Sequence, residues 1–209
     1  AAWGLLGWAL VLVAGVAGLV VPMFQLTPPY PVAFARAVPL AVVGALLAWS
    51  VGVPCGVTAL SWAGAGVAAV AVAAFAVQTL RLQSRRKRRV LDTTFWSWRL
   101  GMACLLGAAA VGLGVMAGVS PALQGRLEYL LGVLVLAGAF PAVIGGMLYK
   151  IVPFLVWLHL SRAMRTPPNM HQVLSEKGPR WQLRVFGVAL ASLVAGAAWP
   201  PLVGVGGAL

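Results

Sequence analysis

Long uncharged apolar runs alternate with short basic segments along this chain, and that alternation predicts helices that cross a membrane. The first run covers about 2–23 and ends at Pro22. Between Arg36 and Arg81 lie 44 uncharged residues, twice the ~20 needed for one crossing. The cluster Gly52-Val-Pro-Cys-Gly56 divides them into spans over about 37–53 and 57–80. A fourth span runs over about 98–119, before Ser120-Pro121. A fifth runs over about 127–149 with a kinked extension to about 160. A sixth covers about 182–199 and stops at Pro200-Pro201. Hydrocarbon offers backbone amides no water partner, so continuous runs of this length are helices. A β-barrel would need short alternating segments instead. The expected fold is all-α, a polytopic transmembrane helical bundle forming a single transmembrane domain over 1–209.

Composition agrees. The chain is 62% hydrophobic and only 9% charged, too few charges for the surface of a water-soluble domain of this size. The formal charge of +12 does not imply nucleic acid, because the cations sit in short segments between spans. With the loop 81–99 placed in the cytoplasm, its seven Lys and Arg lie inside. Alternation also puts Arg36 and the six basic residues of 150–184 inside, leaving only Arg126 outside. Loops 24–36, 81–99 and 150–184 are then cytoplasmic, and both ends of the segment face outward. A bacterial inner membrane suits this pattern. Within the basic loop, Arg85, Arg86, Lys87, Arg88 and Arg89 form a run expected to meet anionic lipid headgroups.

Small residues four apart, Gly114 with Gly118 and Ala14 with Gly18, suggest close helix approach. Trp3, Trp8, Trp49, Trp62, Trp96, Trp98 and Trp199 fall mostly toward span ends, as an interfacial belt does. Cys55 and Cys104 lie in different apolar segments without metal-type spacing and read as small buried residues. The opening AAWGLLGW has no basic n-region and already reads as helix interior, as in a fragment of a larger bundle.

No motif of catalysis is present: no HExxH, no Walker A, no GxSxG and no paired carboxylates. Asp92, Glu128 and Glu176 all sit in or beside loops. The polar positions worth following are Lys150, His159, Tyr149 and Gln25. Lys150 and His159 fall within GGMLYKIVPFLVWLHL. About 22 residues separate Glu128 from Lys150, so Lys150 is expected near the inner boundary, snorkelling to the interface or, as the alternative, facing a polar cavity in the bundle. Pro153 is expected to kink the helix, because 127–160 would otherwise be about 51 Å long against a ~30 Å core. His159 then sits at the cytoplasmic interface, and His171 in the loop TPPNMHQ is solvated.

GLLGW (Gly4 to Trp8), VVPMFQLTPPYP (Val20 to Pro31) and YKIVPFLVWLHL (Tyr149 to Leu160) together resemble segments of uncharacterised bacterial multi-pass proteins. Those are distantly similar to heme–copper oxidase subunit I and to NnrS-like proteins. The resemblance covers the C-terminal half of such a protein and implies a redox- or metal-related role. In those families histidines near outer span ends carry heme or metal; His159 and His171 are both inner, so no ligand carries over. Heme or metal would have to be supplied by helices upstream. Two other readings follow from the residues: a permease-like bundle lined by the Pro-broken ends of the first and fifth spans, or a structural or assembly subunit with a membrane-protein partner.

Overall fold

A computed structural model describes residues 2–87, 92–117, 120–163 and 175–197. These residues contain six helices and no strand. Helix α1 is Trp3–Gln25, with π geometry over Trp3–Leu10. Helices α2 (Val32–Gly52), α3 (Thr58–Ser84) and α4 (Thr93–Met116) follow. Helix α5 covers 121–163 in consecutive helical segments, Pro121–Gly132, a π segment Val133–Ala139 and Phe140–Ala163. Helix α6 is Lys177–Gly196.

Five of the six, α1 to α5, are long and apolar enough to cross a membrane. Large apolar side chains such as Leu19, Leu40 and Val70 point outward on them, as lipid-facing residues do. The expected all-α multi-pass membrane fold is therefore present. The sixth expected span differs. Lys177, Arg180 and Arg184 occupy the first two turns of α6, so the described apolar part is short for a crossing. Pro200-Pro201, Trp199, His171, Gly118 and Arg88-Arg89 lie outside the described residues.

The chain divides into two compact units. Unit one holds Ala1–Arg89 and Met102–Gly132; unit two holds Val90–Gly101 and Val133–Leu209. In unit one, α2 and α3 form a helical hairpin through the turn 53–57, where Gly56 takes φ +68°. Two glycines bring the backbones together. A Cβ on Gly64 would lie 2.7 Å from the Ala45 carbonyl oxygen and 2.9 Å from the Trp49 nitrogen; one on Gly52 would lie 2.7 Å from the Ser61 nitrogen. Close approach of this kind supplies dispersion contacts where lipid removes the hydrophobic drive between helices. Trp3 Nε1 donates to Ser50 Oγ at 2.8 Å, tying α1 to α2.

Pro22 does not end α1. It sits in the last turn, and the helix continues to Gln25, where Leu26 turns into the left-handed region with φ 53°. The Leu26 carbonyl then accepts the Lys87 N–H at 3.1 Å, pinning the connector 26–31 to the end of α3.

In unit two the start of α4 lies against the second half of α5. A Cβ on Gly146 would sit 2.9 Å from Ser97 Cβ, and one on Gly101 would sit 2.8 Å from Val143 Cγ2. The Ser97 hydroxyl donates to the Ala142 carbonyl at 2.6 Å. Trp98 is 1% exposed in this unit, so it is a core residue and not part of an interfacial belt. Helix α6 packs on Val133–Ala139. The glycines that set close packing are thus Gly52, Gly64, Gly101 and Gly146. Gly18 has open space where a Cβ would go, and Gly114 is in ordinary contact with Leu127.

Pro153 lies inside α5, whose extension past it was expected. The helix runs unbroken past it to Ala163, with Pro153 buried. The 41 residues Leu123–Ala163 are about twice the ~20 that one crossing needs.

Candidate functional site

Helix α4 starts at Thr93, five residues earlier than its apolar run suggests, and this moves Asp92 from a loop to a helix N-cap. Asp92 Oδ1 accepts the Phe95 N–H at 3.0 Å, the hydrogen bond that satisfies an orphan donor of the first turn. Asp92 Oδ2 lies 2.8 Å from Lys150 Nζ. The two side chains are 7% and 14% exposed, so this pair is largely withdrawn from solvent. Lys150 therefore does not snorkel freely to an interface; it fastens α5 to the cap of α4. A carboxylate with both oxygens engaged meets the usual condition for a buried ion pair.

Around this pair is a polar cluster. The Thr93 hydroxyl donates to Glu176 Oε2 at 3.1 Å, and Arg180 Nε lies 3.6 Å from the same oxygen. An open cleft of about 540 Å³ is lined by Asp92, Thr93, Trp96, Leu100, Arg180, Leu183 and Arg184. Trp96, Leu100 and Leu183 are apolar lining, and Arg180 and Arg184 bring two guanidinium groups to it. Their forked donors suit carboxylate or phosphate oxygens.

Unit one holds a second polar cluster. Gln83 Nε2 donates to Gln25 Oε1 at 2.8 Å, and the residues are 1% and 3% exposed. Gln25 Nε2 and Gln83 Oε1 are left without partners. One turn earlier on α3, Thr79 donates to the Phe75 carbonyl at 2.8 Å. That commits its only hydrogen, so the 2.8 Å contact with Tyr30 is a bond from the Tyr30 hydroxyl to Thr79 Oγ1. Burial pushes the Tyr30 hydroxyl up to about 12, against a smaller opposing effect of the Thr79 bond.

The four followed positions thus separate. Lys150 enters the unit-two cluster. Gln25 enters the unit-one cluster. Tyr149 is half-buried beside Lys150 but does not line the cleft, and His159 is exposed on α5. Among the described residues no three His, Cys, Asp or Glu side chains gather as a metal-binding group. Asp92, Gln83, Tyr30, Arg180 and Arg184 were not expected to matter. For Asp92 the signal existed, since Asp-Thr-Thr before an apolar run is a helix-start signature. For the others no local pattern marks the role. Comparison with protein-family models, with curated proteins and with solved structures found no match to this chain.

Proposed function

We propose that this chain forms part of a permease-like membrane bundle in which the Lys150–Asp92 pair is a charge-compensated contact at one end of a path for an anionic solute. The supporting observation is the pair itself, a lysine of a membrane-spanning helix held at 2.8 Å by an acid that also caps the neighbouring helix. Ionisable groups in spanning helices are costly and mark ion and substrate routes more often than they serve packing. An entering anion would compete with Asp92 for Lys150, and Arg180 and Arg184 at the cleft would raise its local concentration.

The test separates transport from fastening. The full chain is reconstituted in proteoliposomes, and uptake of labelled phosphate, sulfate and short carboxylates is measured. Lys150→Ala should abolish flux. The double variant Lys150→Met with Asp92→Asn should recover stability without recovering flux. Flux retained in the double variant, or no uptake of any of these anions by the native protein, overturns the reading. The oxidase-like or NnrS-like reading rests on the three quoted segments, and its test is the heme absorbance spectrum of the purified full-length protein.

A further inference from the structure

We infer that the unit-two cleft binds a phosphate group carried on a partly apolar molecule, with Arg180 and Arg184 as a two-pronged clamp. The two residues are four apart on α6, so their side chains share one helix face, and both line the cleft. Arg180 has a loose, exposed contact with Glu176 at 3.6 Å. Arg184 makes no hydrogen bond or ion pair with a described residue, which leaves a complete guanidinium fork for a ligand. Asp92 also lines the cleft, but Lys150 Nζ and the Phe95 N–H occupy its two oxygens, so its repulsion of an anion is offset. Two adjacent forks present more donors than one carboxylate has oxygens to accept, whereas a phosphate can bridge them. Beside Thr93, the rest of the lining is the apolar Trp96, Leu100 and Leu183, and Trp96 is 49% exposed. That apolar lining suits an acyl, glyceryl or ring portion next to the phosphate.

The inference uses the cleft of the permease-like reading but not transport itself, because binding is read at equilibrium. Phosphate can come from a phospholipid headgroup or from a soluble phosphate. Thermal unfolding of the full chain is therefore measured in nanodiscs of phosphatidylcholine, with inorganic phosphate added, and in nanodiscs containing phosphatidylglycerol. Native mass spectrometry counts retained phosphatidylglycerol. Stabilisation by phosphatidylglycerol alone assigns the headgroup, and stabilisation by inorganic phosphate assigns a soluble ligand; either supports the site. Arg180→Gln and Arg184→Gln should each weaken the response roughly tenfold in apparent affinity, while Arg36→Gln leaves it unchanged. Arg184→Lys, which keeps the charge and loses the fork, answers the same question if a glutamine variant does not fold. No response of the native protein to either probe overturns the inference, as does a response that the Arg180 and Arg184 variants leave intact. A phosphate response lost in Arg184→Gln, with flux unchanged in Lys150→Ala, would retain this site and remove the path through Lys150.

Discussion

Removing either partner of the Lys150–Asp92 pair should destabilise unit two far more than removing both. At 2.8 Å and an effective dielectric of about 20, the gross attraction is about 6 kcal/mol. Desolvation of two largely buried ions opposes most of it, so the net worth of the pair is small. A lone buried charge has no such offset. Lys150→Met takes the Lys150 cation away from Asp92 Oδ2, and Asp92→Asn takes the carboxylate away from the Lys150 ammonium. Each should cost about 3 kcal/mol. Asparagine caps helices about as well as aspartate, so Asp92→Asn isolates the charge from the cap at Phe95. The double variant should lie within about 1 kcal/mol of the native protein, giving a coupling of several kcal/mol. Denaturant or thermal unfolding in one fixed detergent supplies the four values. Single losses below about 1 kcal/mol that add within about 0.5 kcal/mol would show that water already screens the pair and refute the reasoning.

The buried glutamine pair obeys similar logic: Gln25→Leu should cost about 1–3 kcal/mol by orphaning Gln83 Nε2, while Gln25→Leu with Gln83→Leu should be near neutral in the same unfolding assay. Gly64→Ala should lose about 1–3 kcal/mol, because the new methyl meets α2 backbone at Ala45 and Trp49; Gly44→Ala, with open space, should be neutral or gain up to about 1 kcal/mol. For Tyr30, the folded pKa of about 12 exceeds the ordinary value of 10, so the folded state favours the neutral phenol. Its contribution is complete below pH 10 and falls between pH 10 and 12 by about 3 kcal/mol. Tyr30→Phe should be weaker at neutral pH by about 1 kcal/mol but show less alkaline loss, and an unchanged stability–pH curve above pH 10 would contradict this.

Helix type and five of the six expected spans were legible because bilayer physics acts on composition averaged over ~20 residues, and such averages survive errors at the ends. Helix ends were less legible, because single interactions set them. Pro22 reads as a stop, yet α1 continues to Gln25, which bonds Gln83, and the left-handed Leu26 then begins a connector held by the Lys87 N–H. Pro153 reads as a kink inside one helix, and α5 does run on through it to Ala163, since a proline removes one hydrogen bond and need not end a helix packed along its length.

The five-residue difference at the start of α4 changes the chemistry most. Counted from the apolar run, the helix begins at Trp98 and Asp92 is a loop acid that compensates nothing. Begun at Thr93, the helix adds a turn rich in polar residues: Thr93 and Thr94 are buried, Ser97 bonds α5, and Asp92 closes the N-terminus. A polar stretch is normally taken as solvent-facing, but here the Asp92, Thr93 and Ser97 side chains are satisfied by the cap or by another segment, which offsets the desolvation penalty of burying them. Lys150 reads as an interfacial anchor only while Asp92 is assigned to solvent. Once the N-cap fixes Asp92 at the head of α4, the tight glycine contacts at Gly101 and Gly146 set α4 against α5, and the lysine one turn beyond Gly146 meets the carboxylate. The site therefore depends on the register between two helices, and register is decided by which small residues touch, a property of the pair that neither helix sequence contains alone.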